Sequence, residues 1–175
     1  VGRESCLPKT AWPPTSGGQI AQKGAGESVL VLSGDGITDI DLSAVIRAHE
    51  QSDAAATIVL KRVAEPTEYG VALLDENGTI KGFLEKPERS EVFSDYANTG
   101  IYILNSDALE LIPKDTDFDF SKNLFPEMLR RGMKIRGHVT DAYWCDIGDI
   151  ARGIVHGKNA LVRAQHALQQ FREAP

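Results

Sequence analysis

The chain has 175 residues, of which 42% are hydrophobic and 25% charged, as is typical of a globular domain with a buried core. The formal net charge of −6 argues against nucleic-acid binding, since phosphate backbones are bound by clustered lysine and arginine. No stretch approaches the roughly 18 apolar residues that span a bilayer, and no apolar leader core lies near the start. The sequence therefore predicts a cytoplasmic protein without a membrane partner.

The first part of the chain differs in character from the rest. Residues 1–28 are rich in proline and glycine and show no apolar period, which indicates an irregular lead-in. The sequence predicts a folded domain over residues 29–170 and a short tail over residues 171–175. The first residue is Val1 rather than methionine, so we expect that the natural N-terminus lies upstream.

A strand, a helix and a second strand are predicted next. Residues 29–32 are continuously apolar, as in a strand buried in a parallel sheet, and this run ends at Ser33-Gly34-Asp35. Apolar residues and one histidine then recur at helical spacing, at Leu42, Val45, Ile46 and His49. Asp41 is the expected N-cap of this helix. With a buried strand over residues 56–60, the segment predicts a βαβ unit.

The middle of the chain predicts a hairpin. Residues 71–74 and 79–84 flank Asp75-Glu76-Asn77-Gly78, in which Asn-Gly readily takes the positive φ angles of a tight turn. The remaining predicted elements are a strand over 96–104, helices over 106–112 and 124–129, strands over 135–139 and 143–145, and a long helix from 149 onward. The fold class is therefore α/β, a mostly parallel Rossmann-like sheet with an inserted antiparallel hairpin subregion.

Two aspartates are candidate metal ligands. Asp35 directly follows a buried strand, where α/β sheets bind their ligands, and its carboxylate suits Mg²⁺. A turn or capping role explains Asp35 equally well. Asp146 follows the aromatic pair Tyr143-Trp144 and precedes a predicted helix, so it is either a second ligand or a cap. Two cysteines, Cys6 and Cys145, lack metal-ligand spacing and are predicted to be free thiols.

A lysine and several polar residues are candidate substrate ligands. Lys86 lies between Glu85 and the stiffening Pro87, so it is either a point charge for a phosphate or a solvated side chain. Asn98 and Thr99 interrupt an apolar strand and need partners, which are either sugar hydroxyls or neighbouring backbone.

Two further segments are also consistent with either a binding role or a structural one. The Tyr69-Gly70 pair has a similar polar character on a loop before the hairpin. Asp39 and Asp41 form the acid-x-acid pattern of metal-dependent glycosyltransferases, but they lie where a helix needs its cap.

The order of these motifs is more specific than any one of them. Across residues 28–165 the chain resembles the sugar-1-phosphate nucleotidyltransferases, which include the mannose-1-phosphate guanylyltransferases. The motifs that carry the resemblance are Ser33-Gly34-Asp35, Thr38-Asp39-Ile40-Asp41-Leu42, Tyr69-Gly70-Val71, Glu85-Lys86-Pro87, Asn98-Thr99-Gly100-Ile101-Tyr102 and Tyr143-Trp144-Cys145-Asp146-Ile147-Gly148. The segment Leu60-Lys61-Arg62-Val63 is similar to the guanylyltransferase branch.

The resemblance implies that a sugar 1-phosphate and a nucleoside triphosphate are the partners and Mg²⁺ the cofactor. Asp35 and Asp146 correspond to the metal ligands of the family, and Lys86 corresponds to the lysine that holds the sugar phosphate. These three residues are the expected catalytic set. The residues that correspond to the family's sugar-binding positions are Tyr69, Gly70, Glu85, Asn98, Thr99 and Trp144.

The sequence departs from the family before Asp35. The family opens with a Gly-rich loop that carries an arginine and a lysine and wraps the triphosphate, and no such stretch is present here. Only Gly17 and Gly18 resemble the family's base-contacting segment. We therefore expect a truncated nucleotide-binding part, and a sheet edge that is covered either by residues 1–28 or by a second copy of the chain.

Three functions are consistent with these patterns. The first is a nucleotidyltransferase, whose activity in a truncated chain is open because the preorganised positive charge is missing. The second is a non-catalytic chain that binds or responds to sugar phosphates or nucleotide sugars. The third is a glycosyltransferase that holds its metal through Asp39 and Asp41.

Overall fold

Three stretches of the chain, residues 19–21, 28–113 and 116–147, are described by the computed structural model. The strands are β1 (Gln19–Ala21), β2 (Val29–Leu32), β3 (Gly36–Thr38), β4 (Ala56–Arg62), β5 (Gly70–Leu74), β6 (Ile80–Glu85), β7 (Tyr96–Leu104), β8 (Ile135–Thr140) and β9 (Trp144–Asp146). The helices are α1 (Leu42–Glu50), α2 (Ser106–Leu109) and α3 (Phe125–Arg130). A π-helical turn, Phe120–Leu124, leads directly into α3, and 3₁₀ turns occupy Pro66–Glu68 and Arg89–Glu91. The predicted tail, the predicted final helix and Cys6 lie outside these residues.

The central sheet has the strand order β1-β2-β7-β4-β8, and the β5–β6 hairpin joins it through β7. Strands β2, β4 and β8 point in one direction, because β2 and β4 are both antiparallel to β7, and β8 is parallel to β4. The α/β class and the inserted hairpin are confirmed. The predicted strand–helix–strand unit is present, but its two strands are not neighbours, since β7 lies between them.

Strand β1 belongs to the stretch predicted as an irregular lead-in. It pairs antiparallel with β2, with Ile20 opposite Val31. Because β2 also pairs with β7, it has a hydrogen-bonded strand on each of its two edges. Residues 19–21, which belong to this stretch, thus cover the edge of β2. The sequence predicts that residues 1–28 or a second copy of the chain cover a sheet edge.

The core lies on both faces of the sheet. In β4, Ile58 and Leu60 belong to a cluster with α3 residues such as Phe125 and Met128. Val59, which points to the opposite face, joins Val45 of α1 in the second cluster. The continuous burial of β4 therefore follows from helices on both faces, as the unbroken apolar run of this strand predicts.

Helix α1 begins as the sequence predicts. Asp41 is the N-cap, and its carboxylate accepts a hydrogen bond from the Ala44 backbone N–H at 3.1 Å. The helix ends at Glu50, and Gln51 is its C-cap. No helix among the described residues has the length and apolar character needed to cross a membrane.

Strand β7 is irregular in its first half. Its register with β4 jumps from the Ile58–Tyr102 pair to the Leu60–Asn98 pair, so three residues of β7 lie opposite one residue of β4. Gly100 adopts a positive φ of 77° within this irregularity. A bulge of this kind bends a strand and re-aims its side chains, and such bulges are common beside active sites. The Asn98-Thr99-Gly100 motif therefore lies in a bulge of the sheet.

Candidate active site

An open pocket of about 650 Å³ lies where β2 and β6 end. Asp35 and Asp146 line one side of it, and Lys86 lies at its rim. The pocket also contains every residue predicted to contact sugar, namely Tyr69, Gly70, Glu85, Asn98, Thr99 and Trp144. Gly17 and Gly18, predicted to contact the nucleotide, lie outside the described residues.

One side of the pocket is formed by the two-stranded sheet of β3 and β9, together with Asp35, and is called the β3–β9 wall below. Strand β3 pairs antiparallel with β9, with Gly36 opposite Asp146. The backbone N–H of Ile147 donates to the carbonyl of Asp35 at 2.9 Å. These bonds hold the backbones of Asp35 and Asp146 side by side, although the two residues are far apart in the chain.

Asp35 is oriented by Ser33, whose hydroxyl donates to the Asp35 carboxylate. Ser33 is in turn fixed to the bulge, because its backbone N–H donates to the Gly100 carbonyl at 2.9 Å. A Cβ atom built on Gly100 would lie 2.6 Å from the Cβ of Ser33. Only glycine fits there, because the position has a positive φ and leaves no space for a side chain.

Thr99 and Trp144 stabilise the bulge. The Thr99 side chain is buried, and its hydroxyl donates to the Val59 carbonyl at 2.8 Å. The indole N–H of Trp144 donates to the Thr99 carbonyl at 2.9 Å, which fastens β9 to β7. The hydroxyl of Thr99 is therefore used within the protein. The Trp144 ring lies edge-on to Tyr69, with centroids 5.4 Å apart, and this pair forms part of the pocket surface.

Lys86 has a left-handed backbone conformation with a φ of 47°. Its N–H donates to the Tyr69 carbonyl at 3.1 Å, while its side chain is exposed and the following Pro87 is buried. Non-glycine residues with positive φ are uncommon and cluster at functional sites. The left-handed backbone of Lys86 and its hydrogen bond to Tyr69 set the course of the chain where it leaves β6.

A second part of the pocket lining includes Glu85, Asn98 and the π-helical turn, and is called the π-turn wall below. Gly70 makes room for Glu85, because a Cβ on Gly70 would lie 2.6 Å from Glu85 Oε2 and 2.8 Å from Phe83 Cζ. The side-chain amide of Asn98 donates to the Tyr102 hydroxyl at 2.8 Å and to the Ser121 hydroxyl at 3.2 Å. Its carbonyl accepts from the Gly100 N–H at 3.0 Å.

The environment of this wall changes two pKa values. Burial raises the pKa of Glu85, and its hydrogen bond with Ser121 opposes that increase. The nearby Asp119 raises the pKa of Glu85 further, while Lys86 and Lys122 lower it. Burial also raises the pKa of Tyr102 from its ordinary value of 10.0 to about 12.

Carboxylates outnumber lysines in the pocket. Those that line it are Asp35, Glu68, Glu85, Asp117, Asp119 and Asp146, against Lys86 and Lys122. The described residues contain no group of three or more His, Cys, Asp or Glu side chains arranged to hold a metal ion. The pair Asp35 and Asp146 nevertheless fits Mg²⁺, a hard cation that is usually held by one or two carboxylates together with substrate phosphates and water.

Asp39 and Asp41 have structural partners. The Asp39 carboxylate accepts from the Tyr143 N–H at 2.6 Å, and the Asp39 N–H donates to the Tyr143 carbonyl at 3.1 Å. Asp41 caps α1. This acid-x-acid pattern therefore joins β3 to the segment before β9 and starts a helix, and neither aspartate lines the pocket.

The π-helical turn is part of the site and was not predicted from the sequence. Residues 117–123 line the pocket, among them Ser121 and Asp119. Asp119 caps this turn by accepting from the Lys122 N–H at 2.8 Å, and Asn123 Oδ1 accepts from the Asp119 N–H at 2.9 Å. This Asp-x-x-x-Asn spacing before an apolar run is a capping signal that could have located the start of the turn. It does not reveal that the turn faces Asn98.

Comparison with known proteins identifies the family of the chain. A family model described as nucleotidyl transferase matches residues 9–159. The chain is 36% identical over 126 residues to a UTP–glucose-1-phosphate uridylyltransferase of Synechocystis, which is 71% of this chain and 32% of that protein. It is 40% identical over 123 residues to the mannose-1-phosphate guanylyltransferase catalytic subunit beta of Drosophila melanogaster, which is 70% of this chain and 32% of that protein.

The fold is shared with a solved structure. A crystal structure from Bacillus anthracis, described as a glucose-1-phosphate thymidylyltransferase in complex with sucrose, matches with a TM-score of 0.65 and 25% identity. The match covers 79% of this chain and 55% of that one. The chain spans about a third of the length of the curated relatives cited above. Since the family model covers most of its residues, the chain belongs to the nucleotidyl transferase family.

Proposed function

We propose that this chain forms the sugar-phosphate side of the active site of a sugar-1-phosphate nucleotidyltransferase. In this reaction a phosphate oxygen of the sugar 1-phosphate attacks the α-phosphorus of a nucleoside triphosphate. The bond from the α-phosphorus to the bridging oxygen breaks, so the products are pyrophosphate and a nucleotide-diphosphate sugar. The observation that supports this proposal is the convergence of motifs from residues 35 to 146 on one pocket.

The residue types match what such a transfer needs. Phosphoryl-group transfer depends on positioning and on neutralising charge rather than on a covalent protein nucleophile. Lys86 leaves β6 in a fixed direction at the pocket rim and offers an ammonium group to the sugar phosphate. Glu85, which lines the pocket in the π-turn wall, offers carboxylate oxygens to sugar hydroxyls. The edge-on pair Tyr69 and Trp144 gives the sugar ring an apolar surface.

Asp35 and Asp146 are the proposed Mg²⁺ ligands. When bound, Mg²⁺ supplies positive charge to phosphate oxygens in a pocket where carboxylates outnumber lysines. The two residues contribute by holding their carboxylates on adjacent backbones, and Ser33 contributes by orienting the Asp35 carboxylate. Thr99 contributes to the site through its backbone, since its hydroxyl is used in the core.

We propose mannose 1-phosphate and GTP as the first substrate pair to test. The 40% identity to a mannose-1-phosphate guanylyltransferase subunit supports this choice. Other relatives are named as uridylyltransferases and as adenylyltransferases, so glucose 1-phosphate, UTP and ATP belong in the same panel.

The test is pyrophosphate release by the 175-residue chain with Mg²⁺, across this panel. We expect release that falls about 100-fold or more in Asp35→Ala, because a preorganised charge at a reacting phosphate contributes about 3 kcal/mol. The matched control is Asp107→Ala, which removes an exposed aspartate of α2 outside the pocket and should leave release unchanged. Sugar-phosphate binding without release would favour the non-catalytic binding chain. Absence of both would overturn the proposal.

A glycosyltransferase that uses Asp39 and Asp41 is less well supported. Both carboxylates accept backbone hydrogen bonds and lie outside the pocket. A separate assay with a nucleotide sugar as the donor tests this alternative, which requires hydrolysis or transfer from that donor and an unaffected Asp146→Ala variant.

A further inference from the structure

Lys61 is a half-buried lysine near the end of β4 that does not line the pocket. It belongs to the segment Leu60-Lys61-Arg62-Val63, to which the proposed function gives no role. Its ammonium group donates to two backbone carbonyls, those of Asp141 and Ala142, each at 2.8 Å. A lysine has three N–H donors, so two of them are committed to one short stretch of backbone. Lys61 therefore holds the connection that follows β8.

The sheet places Lys61 beside this connection. In the parallel register of β4 and β8, Lys61 lies opposite Thr140, the last residue of β8. Lys61 follows Val59 by two residues, so the two side chains point to the same face of β4. Ala142 packs against the hydrophobic cluster that contains Val59. The bonds from Lys61 thus tie the connection to the sheet face that it covers.

The same connection is also held from β3. The Asp39 carboxylate accepts from the Tyr143 N–H at 2.6 Å, and the Asp39 N–H donates to the Tyr143 carbonyl at 3.1 Å. The Thr38 hydroxyl donates to that carbonyl at 2.8 Å. Strand β4, through Lys61, and strand β3 therefore fix adjacent residues of one short connection. This connection leads directly into β9, whose last residue is Asp146.

We propose that Lys61 is a positioning residue that sets the place of β9 and so brings the Asp146 carboxylate beside Asp35 for Mg²⁺. This inference rests on the proposed function. Lys61 acts through the backbone between β8 and β9, because both of its hydrogen bonds go to carbonyls of that connection. A purely electrostatic role predicts the opposite effect, since a positive charge near two carboxylates weakens their attraction for a cation. Removal of the charge alone would strengthen metal binding, whereas loss of a positioning contact weakens it.

The first experiment measures binding of Mn²⁺, as a probe for Mg²⁺, to the ligand-free chain by electron paramagnetic resonance. We expect Lys61→Met, which keeps an apolar stem and removes the ammonium group, to raise the Mn²⁺ dissociation constant about 5-fold. Loss of a direct partner of a metal ligand costs more, about 10-fold or above. Lys61→Arg, which can still donate to carbonyls, should restore most of the affinity. The matched control, Lys81→Met, removes an equal charge from β6 outside the pocket and should leave the dissociation constant unchanged.

A second measurement does not depend on a metal. In the metal-free chain, Lys61→Met should shift the NMR signals of the Asp146 backbone amide and of the Trp144 indole N–H, which bonds β9 to β7. Lys61→Arg should return both signals toward their original positions, and Lys81→Met should leave them in place. If Lys61→Met does not fold, Lys61→Gln, which has a shorter side chain and no charge, takes its place.

Asp146→Ala separates failure of the inference from failure of the proposed function. Weaker Mn²⁺ binding in Asp146→Ala but not in Lys61→Met, or unshifted β9 signals, would overturn the inference and leave the metal site in place. Tighter Mn²⁺ binding by Lys61→Met would overturn it in favour of a purely electrostatic effect. Unchanged Mn²⁺ binding in Asp146→Ala, or no binding by the unmodified chain, would refute the metal assignment of the proposed function and with it the role of Lys61.

Discussion

The two walls of the pocket hold their carboxylates by different means. In the β3–β9 wall, Asp35 and Asp146 are carried on backbones that are hydrogen-bonded to each other, and a glycine of the bulge provides clearance for Ser33. In the π-turn wall, Glu85 is the last residue of β6 and is partly buried, with Gly70 providing clearance. The comparison teaches that the β3–β9 wall depends on backbone hydrogen bonds, so a substitution that disturbs them affects the whole wall. In the π-turn wall, side chains can be replaced one at a time.

The largest effect is expected at the glycine behind the β3–β9 wall. Gly100→Ala combines a positive φ of 77° with a Cβ only 2.6 Å from the Ser33 Cβ, which is tied to the backbone. We expect a loss of about 2–4 kcal/mol in the free energy of unfolding, measured by urea denaturation. The matched control is Gly132→Ala, which has a φ of 71° but no atom within 4 Å of its new Cβ. This control should lose only about 1 kcal/mol, and equal losses in the two variants would refute the steric argument.

A smaller effect on stability, with a clear effect on binding, is expected at the glycine of the π-turn wall. The new Cβ in Gly70→Ala meets the flexible end of Glu85 and the ring of Phe83, both of which can move. We expect a loss of about 1–2 kcal/mol in the free energy of unfolding and roughly 10-fold weaker sugar-phosphate binding, measured by denaturation and calorimetry. Gly82→Ala, in the same hairpin, places its Cβ at an ordinary 3.6 Å from Leu73 and serves as the control. Equal binding by the two variants would show that Gly70 does not position Glu85.

The smallest effect has the opposite sign. Because burial raises the pKa of Glu85, its ionised form costs stability above that pKa, and the cost is absent below the ordinary value of 4.5. Glu85→Gln should therefore raise the melting temperature at pH 7, leave it unchanged near pH 4 and weaken sugar-phosphate binding. Melting curves at the two pH values test this, and a lower melting temperature at pH 7 would contradict it. A gain in stability that accompanies a loss of binding is typical of residues that serve function.

The β3–β9 wall was the more predictable of the two. The unbroken apolar run of β2, whose residues alternate between buried and partly buried, predicts a strand, so the position of Asp35 after its end can be read directly from residues 29–35. The capping role of Asp41 follows in the same way, from a local interaction three residues long. Features that depend on neighbours in sequence are visible in the sequence.

Features that depend on distant neighbours were not predictable. The π-helical turn around Ser121 contacts Asn98 through a hydrogen bond between two residues that are 23 positions apart in the chain. The Thr99 hydroxyl was expected to hydrogen-bond either to a sugar hydroxyl or to the neighbouring backbone. It donates to the Val59 carbonyl, and this bond depends on the register jump between β4 and β7. The insertion of β7 between β2 and β4 has the same origin, because no local pattern specifies which strands become neighbours.

The central place of β7 also has a consequence for how the chain folds during its synthesis. Strands β2 and β4 leave the ribosome well before residues 96–104, yet each needs β7 as its neighbour. Until β7 emerges, both carry open backbone edges, which are templates for unwanted pairing. The connection of β2 to β4 must therefore wait for β7, and the large sequence separation of the β2–β7 pair favours slow folding. The strand that carries the bulge of the pocket is thus also the one whose arrival joins β2 to β4.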